Sequence, residues 1–184
     1  MSFKFPIKRV AFWGGLALAV WVGQQTGIIG SGANTQVSGT NAQNNVMQVH
    51  EADEAMLKAQ ADAKQGLPTF LKAAETPPAD WENVSIKVAM QGENQIENIW
   101  VMGFQNIEGT QYSGVLGNDP IDMPGLKAGD RVTFDYDQIN DWAYIENGTG
   151  YGFYSVRAML PMMDQDQAAG VMAFLSKDPM PTSW

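Results

Sequence analysis

The spacing of apolar residues changes along the chain, and the first regular spacing is helical. Residues 51–64 carry apolar side chains three or four apart, with acidic residues near the start, which favours a helix that Gly66 ends. Pro68 suits the first turn of a second helix over residues 68–74. Pro77-Pro78 ends the helical part of the sequence.

After these prolines the apolar period becomes two, which is typical of β-strands. The predicted strands cover residues 84–88, 99–104, 111–116, 132–136, 141–146 and 151–157. Asn147-Gly148 separates the last two and is a strong hairpin signal. Asp164 and Gln167 form an N-cap pair for a last helix over residues 165–176.

This order of elements predicts an α+β fold. It has N-terminal helices, an antiparallel meander or small barrel of about five or six strands, and a C-terminal helix. Within each strand the alternation predicts one buried and one polar face. Ser85 and Lys87, for example, are expected on the solvent side of the first strand.

Charge separates the N-terminal part of the chain from the rest. All 20 acidic residues lie after residue 50, and the three charges before it are basic and precede an apolar run over residues 10–22. This layout is that of a secretory signal, which could be cleaved after Ala33. With its flanking residues the run also approaches the roughly 20 residues of a membrane span. Residues 1–33 therefore predict a signal peptide or a single-span N-terminal anchor.

The remaining sequence predicts a tether followed by one domain. Residues 34–49 hold no charge and no apolar period, which indicates a flexible polar linker. Residues 50–184 are long enough for a single globular domain. From residue 34 onward, 8 basic and 20 acidic residues give a net charge of −12. This charge argues against nucleic-acid binding, and membrane contact is expected only through the N-terminal segment.

Three stretches resemble one bacterial family. They are ENIWV (97–101), GNDPIDMPGLKAGDRVTF (117–134) and INDWAYIENGTGYGFYSVR (139–157), and GLPTFLKA (66–73) is similar to the same family's first helix. The family is the domain of unknown function 2314. The resemblance covers residues 52–157 and leaves 158–184 as a C-terminal helical extension. It implies a fold, and it transfers no activity.

Few residues are suited to catalysis. The chain has no Cys, which excludes disulfides and thiolate chemistry. The single histidine, His50, lies at the linker boundary and is expected to be exposed and inert. The glycine pattern Gly148-x-Gly150-x-Gly152 is similar to a phosphate loop, but a strand rather than a helix is predicted to follow it. We therefore assign no catalytic residue and no cofactor.

Carboxylates are the abundant reactive groups that remain. Asp135, Asp137, Asn140 and Asp141 form the densest oxygen cluster, but their spacing does not match a calcium loop, and no metal is assigned. A pair of carboxylates such as Glu97 with Asp141 could serve a hydrolase if the fold brought them together.

Aromatic residues of the family-like block are the candidates for binding. Trp142 and Tyr144 share a strand face, and they either fill the core or form a stacking surface for a glycan or a groove for a peptide. Trp100 is expected in the core. Arg157, predicted to end the last strand, could pair with Glu97, Asp141 or Glu146. The candidate binding residues are Asp141, Trp142, Tyr144 and Arg157.

These observations predict a non-catalytic binding or interaction module of the family named above. Its expected place is the bacterial cell envelope, either periplasmic or anchored in the inner membrane with the domain outside the cytoplasm. The expected partner is an envelope protein or a glycan. Two alternatives remain: a carboxylate-based envelope hydrolase, and an inhibitor or immunity-type protein that blocks a basic enzyme.

Overall fold

The computed structural model describes the backbone of residues 39–184 and the side chains of residues 53–184. The predicted signal peptide or anchor lies outside these residues. Within the described part, no helix is long and apolar enough to cross a membrane. In chain order the elements are α1 (Gly39–Ala74), β1 (Trp81–Gln91), β2 (Ile96–Glu108), β3 (Gln111–Leu116), β4 (Arg131–Asp135), β5 (Ile139–Glu146), β6 (Thr149–Gly152), α2 (Tyr154–Met159) and α3 (Gln165–Phe174), with 3₁₀ turns at Tyr136–Gln138 and Leu160–Met162.

One continuous helix, α1, replaces the two predicted N-terminal helices. It begins at Gly39, so the linker predicted over residues 34–49 is helical from that residue onward. It also continues through Gly66 and Pro68, although Pro68 has no N–H to donate within the helix. Its buried face explains why it continues, because four side chains at helical spacing enter the core: Ala59, Ala63, Leu67 and Phe70.

The strands form a six-stranded antiparallel sheet in the order β4-β3-β2-β1-β5-β6, which confirms the predicted fold class. The sheet is an open one and does not close into a barrel. Three residues, Tyr136–Gln138, join β4 to β5, and a connection of this length reaches at most about 14 Å. The sheet must therefore curl until the end of β4 approaches the start of β5. Gln138 supports this curl by donating from Nε2 to the carbonyl oxygen of Ala89 on β1 at 2.8 Å.

The curled sheet has an inner face that packs on α1 and an outer face that points away from it. The inner face holds the main core, including Ile86, Val88, Ile99, Val101, Leu116, Val132, Phe134, Ile139, Trp142 and Tyr144. The outer face carries the cross-strand row Ala143, Ser85, Met102, Val115 and Arg131. Ser85 and Lys87 lie on the outer face as predicted, but both are buried, so β1 is covered on both sides.

The predicted hairpin about Asn147-Gly148 is confirmed, with both turn residues in the left-handed region (φ 50° and 77°). The strand predicted over residues 151–157 is wrong beyond Gly152. Gly152 (φ 74°) and Phe153 (φ 53°) are both left-handed and turn the chain out of the sheet into α2. Arg157 therefore lies on a helix and does not end a strand.

The predicted last helix is also confirmed, as α3. The Asp164 side chain accepts a hydrogen bond from the backbone N–H of Gln167 at 2.9 Å, as the N-cap pattern indicated. The helix ends at Phe174, and none of its residues is fully buried. Leu175, which follows it, is buried and bridges to Gly150 of β6. The connection after α3 is thus attached to the sheet more firmly than the helix itself.

Candidate functional site

Asp141 lies at the centre of a buried polar network. β5 directs this carboxylate to the outer face beside Lys87 of β1, where it is 1% exposed. Its oxygens accept hydrogen bonds from the N–H groups of Trp142 (2.8 Å), Tyr154 (3.1 Å) and Ser155 (2.7 Å), and from the Ser155 hydroxyl (2.7 Å). The carboxylate thus satisfies the first N–H groups of α2 from a neighbouring strand.

Lys87 completes this network. Its Nζ donates to the Ser155 hydroxyl oxygen at 3.1 Å and lies 5.8 Å from the ring centroid of Trp100. Burial lowers the pKa of Lys87 to about 8, against the attraction of Asp141. Burial likewise raises the pKa of Asp141, against the hydrogen bonds from Ser155 and the charge of Lys87. Both shifts record the cost of holding charge away from water.

A serine beside a lysine of lowered pKa is also the composition of a nucleophilic pair. Here the Ser155 hydroxyl donates to Asp141, and Lys87, Asp141 and Ser155 are each at most 4% exposed. A nucleophile must be reached by its substrate, and this hydroxyl is enclosed. The geometry therefore fits an anchor for the start of α2 better than an active site.

The glycine pattern 148–152 is followed by a helix, contrary to the prediction of a strand. Phosphate loops leave the first N–H groups of such a helix free for the anion. Here the N–H groups of Tyr154 and Ser155 are already bonded to Asp141. An internal carboxylate occupies the position that a phosphate would take.

Trp142 and Tyr144 share the inner face, as predicted, and they are 0% and 1% exposed. Trp142 stacks on Phe70 with ring centroids 4.8 Å apart, and its Nε1 donates to the carbonyl oxygen of Ala63 at 2.9 Å. Tyr144 stacks on Trp81 at 3.7 Å. The core alternative is therefore the one that these side chains adopt, and neither ring is exposed in the folded chain.

A second layer covers these rings. Trp184 lies 5.5 Å from Trp142, 5.8 Å from Trp81, 5.9 Å from Tyr144 and 6.4 Å from Phe70, measured between ring centroids. We call the four covered residues, Phe70, Trp81, Trp142 and Tyr144, the aromatic seat. No sequence pattern indicated that Trp184 would reach them, because the contact joins residues about forty or more positions apart.

Arg157 does not pair with Glu97, Asp141 or Glu146. Its guanidinium donates to the carbonyl oxygens of Gly152 and Ser176, both at 2.8 Å, and to the Ser176 hydroxyl at 2.9 Å. It therefore ties α2 to β6 and to the residues after α3. This role is structural rather than one of anion capture.

Glu97 and Asp141 do not form the carboxylate pair that a hydrolase would need. Glu97 is 4% exposed and accepts hydrogen bonds from the N–H groups of Ile121 (2.9 Å) and Asp122 (3.0 Å), which fixes the loop between β3 and β4. Strand alternation places Glu97 on the inner face and Asp141 on the outer face. Among the described side chains, no group of three or more His, Cys, Asp or Glu could hold a metal ion.

Trp100 is buried, as predicted, with 8% of its surface exposed, but it lies on the outer face and not in the main core. It packs against Phe153 with ring centroids 5.8 Å apart. Beside it, Met102 is 38% exposed, Val115 is half-buried and Arg131 is exposed. We call these four residues the outer patch: Trp100, Met102, Val115 and Arg131. The sequence did not indicate this patch, because it depends on the pairing of β2, β3 and β4, which the apolar pattern within each strand does not show.

Comparison with known families identifies the family of this chain. The family described as "uncharacterized protein conserved in bacteria (DUF2314)" matches residues 53–172. The chain belongs to this family. The match extends past residue 157, so α2 and most of α3 lie inside the matched span, contrary to the predicted extension over 158–184.

Two curated proteins are distantly similar. A putative ankyrin repeat protein of Neisseria meningitidis serogroup B is 25% identical over 127 residues, which are 65% of this chain and 50% of that protein. The chain thus aligns with half the length of that relative. The uncharacterized protein YegJ of Escherichia coli K12 is 23% identical over 122 residues, which are 66% of this chain and 78% of YegJ. No solved structure matches this chain.

Proposed function

We propose that this chain is a non-catalytic interaction domain that acts in the bacterial cell envelope. The observation that carries the proposal is the outer patch, where Met102 and Val115 lie at the surface beside the buried Trp100, at the middle of the sheet. Met102 and Val115 are neighbours across β2 and β3, and Arg131 follows on β4. An apolar centre beside charged and polar side chains is the usual composition of a protein-binding surface.

The exposure of β2 supports this assignment. Three of the seven large apolar side chains that are exposed in the described part lie on this strand: Ile96 (60%), Met102 (38%) and Ile107 (52%). Ile96 and Met102 alternate on the same face as Trp100. β2 is an interior strand of the sheet, and Met102 lies near its middle, so the exposure of Met102 is not that of an edge strand or a strand end.

The predicted partner is an envelope protein that presents an apolar side chain to Met102 and a carboxylate to Arg131. The N-terminal sequence supports the envelope, because basic residues followed by an apolar run are typical of export signals. The similar Neisseria protein is described as an ankyrin repeat protein, and ankyrin repeats form extended binding surfaces. An interaction role for this chain is compatible with that description.

Photo-crosslinking in cells tests this proposal. A photoreactive amino acid placed at Met102 should yield a discrete crosslinked species, and Arg131→Glu should abolish it. The matched control is the same amino acid at Met172, which is 56% exposed on α3 and outside the outer patch. Equal crosslinking from the two positions would show that the patch has no specific partner.

The hydrolase alternative has a separate test. The purified protein is incubated with cell-wall fragments, together with its Glu97→Gln and Asp141→Asn variants. We expect no turnover by any of the three. Turnover by the native chain that disappears in a folded variant would replace the interaction proposal with a carboxylate enzyme.

A further inference from the structure

The segment formed by residues 180–184 is attached differently from the residues before it. Ser176 N–H donates to the Gly150 carbonyl oxygen at 2.9 Å, and Gly152 N–H donates to the Pro179 carbonyl oxygen at 2.8 Å. Among the hydrogen bonds of residues 39–184, one involves the 180–184 segment, and it is internal to that segment. In it, Trp184 N–H donates to the Pro181 carbonyl oxygen at 3.2 Å. Side-chain packing alone therefore holds this segment, and the change occurs at Pro179.

Two side chains hold the segment in place, Met180 and Trp184. Met180 lies in a notch over Gly66, where an added Cβ would come within 3.0 Å of the Met180 sulfur and of the Trp142 ring. The Trp184 ring contacts all four rings of the aromatic seat at interplanar angles of 27° to 44°. Thr182 and Ser183 between them are exposed. The segment thus resembles a short peptide bound through two apolar side chains.

The seat and its occupant differ in their relation to the family. All four seat residues and Gly66 lie inside the span that matches the family, residues 53–172, whereas residues 180–184 lie outside it. The residues of the site therefore lie within the matched span, and the segment that occupies it lies outside that span. Because the occupant makes no backbone bond to the site, another segment with suitable side chains could replace it.

We propose that the aromatic seat and the Gly66 notch form a binding site for a peptide that presents a methionine and a tryptophan about a proline turn, and that residues 180–184 are its internal, displaceable occupant. The site is distinct from the outer patch, since it lies on the inner side of the sheet beside α1. The internal occupant has a high effective concentration because it is tethered. A partner peptide must compete with it, so the site is partly closed until such a partner is abundant.

Peptide binding to the full-length chain tests the proposal. The probe is a fluorescent peptide with the sequence of residues 178–184, Asp-Pro-Met-Pro-Thr-Ser-Trp, and the control peptide has Ala in place of Trp. In anisotropy titrations, Trp184→Ala should bind the probe about tenfold or more tightly than the native chain does, because its seat is vacant. The control peptide should not bind. Absence of binding to a folded Trp184→Ala chain would overturn the proposal.

A second measurement avoids any loss of fold in Trp184→Ala. The chain has no cysteine, so Ser183→Cys accepts a single spin label at an exposed position of the otherwise native segment. Excess probe peptide should make the label more mobile as the segment leaves the seat. An unchanged spectrum at saturating peptide would contradict displacement. Close label-to-label distances in a dimer would show exchange of the segment between two copies, which also overturns the partner-peptide proposal.

Discussion

Trp142 is packed by rings on several sides and oriented by one hydrogen bond. Phe70 stacks on it at 4.8 Å, Tyr154 meets it edge-on at 5.5 Å, and its Nε1 donates to Ala63. Trp142→Ala should therefore lower the free energy of unfolding by about 3–5 kcal/mol, as truncation of a buried aromatic does. Urea denaturation measures this value.

A conservative control separates packing from the hydrogen bond of Trp142. Trp142→Phe keeps an aromatic ring but leaves the Ala63 carbonyl oxygen without this donor, and should cost about 1–3 kcal/mol. A loss below about 1 kcal/mol for Trp142→Ala would show that the ring does not support the core.

The lowered pKa of Lys87 predicts that the free energy of unfolding rises with pH in the alkaline range. In the folded chain burial lowers its pKa from 10.5 to about 8. Between these two values the unfolded chain still holds a proton that the folded chain has released. The unfolded state then binds more protons, so the free energy of unfolding rises with pH, by at most about 1.4 kcal/mol per pH unit. The raised pKa of Asp141 has the opposite effect. Above the ordinary pKa of a carboxyl group, its contribution to stability falls as the pH rises.

The measurement compares the native chain with Lys87→Met by urea denaturation between about pH 8 and 10. Burial also raises the pKa of Tyr154 to about 12, so tyrosine ionisation destabilises the fold at still higher pH in both chains. The difference between the two chains removes that shared effect. We expect the native chain to gain stability relative to the variant as pH rises. A difference that does not change with pH would mean that Lys87 keeps an ordinary pKa in the fold.

At the level of elements, two helical glycines differ in what surrounds them. Gly170 of α3 has nothing within 4 Å of an added Cβ, so Gly170→Ala should raise the free energy of unfolding by about 0.5–1 kcal/mol through helix propensity. Gly66 of α1 faces Met180 and Trp142, both at 3.0 Å. Met180 can move, but the Trp142 ring is fixed by its hydrogen bond and neighbours.

Gly66→Ala should therefore lose more through overpacking, about 1–3 kcal/mol, than it gains in propensity. Thermal unfolding of the two variants side by side measures the contrast. Stabilisation of both by the same amount would show that the Gly66 notch is not tightly filled.

The sequence predicted elements well where one face of an element decides its structure. Alternation located β1, β3 and β5, and the N-cap pattern located α3. The sequence pattern failed where a residue far away in the chain determines the local structure. Phe153 is left-handed, a conformation unusual for a bulky residue, and no local pattern announces it. The helix that follows depends on Asp141, twelve residues before Phe153 on another element.

The candidate site was less predictable than the fold for the same reason. Asp141 was identified as important, but its partners Ser155 and Lys87 come from α2 and β1, and only the folded chain brings them together. Trp142 and Tyr144 were identified as aromatic neighbours, but what covers them is Trp184, beyond the family-like region. Periodicity shows which side chains share a face and does not show what lies against that face.

For the whole molecule, the two proposed binding surfaces lie on opposite sides of one sheet. The outer patch faces away from α1, and the aromatic seat lies on the inner face, against α1. Their side chains do not overlap, so occupation of one need not block the other. Mutations more than about 7–10 Å apart with no shared partners usually have additive effects. Met102 and Trp184 variants should therefore act independently in the two binding assays.

Export of the domain is the prediction on which the proposed location depends. Residues 10–22 are apolar, the three charges before them are basic, and the first described helix begins at Gly39. A phosphatase that is active only outside the cytoplasm, fused after Thr35, should therefore be active in bacterial cells. The matched control carries Leu16→Arg and Leu18→Arg, which interrupt the apolar run and should abolish activity. A native fusion that stays intact but inactive in the cytosol would rule out the envelope. Partitioning of the active fusion between membrane and soluble fractions then distinguishes an anchor from a cleaved signal.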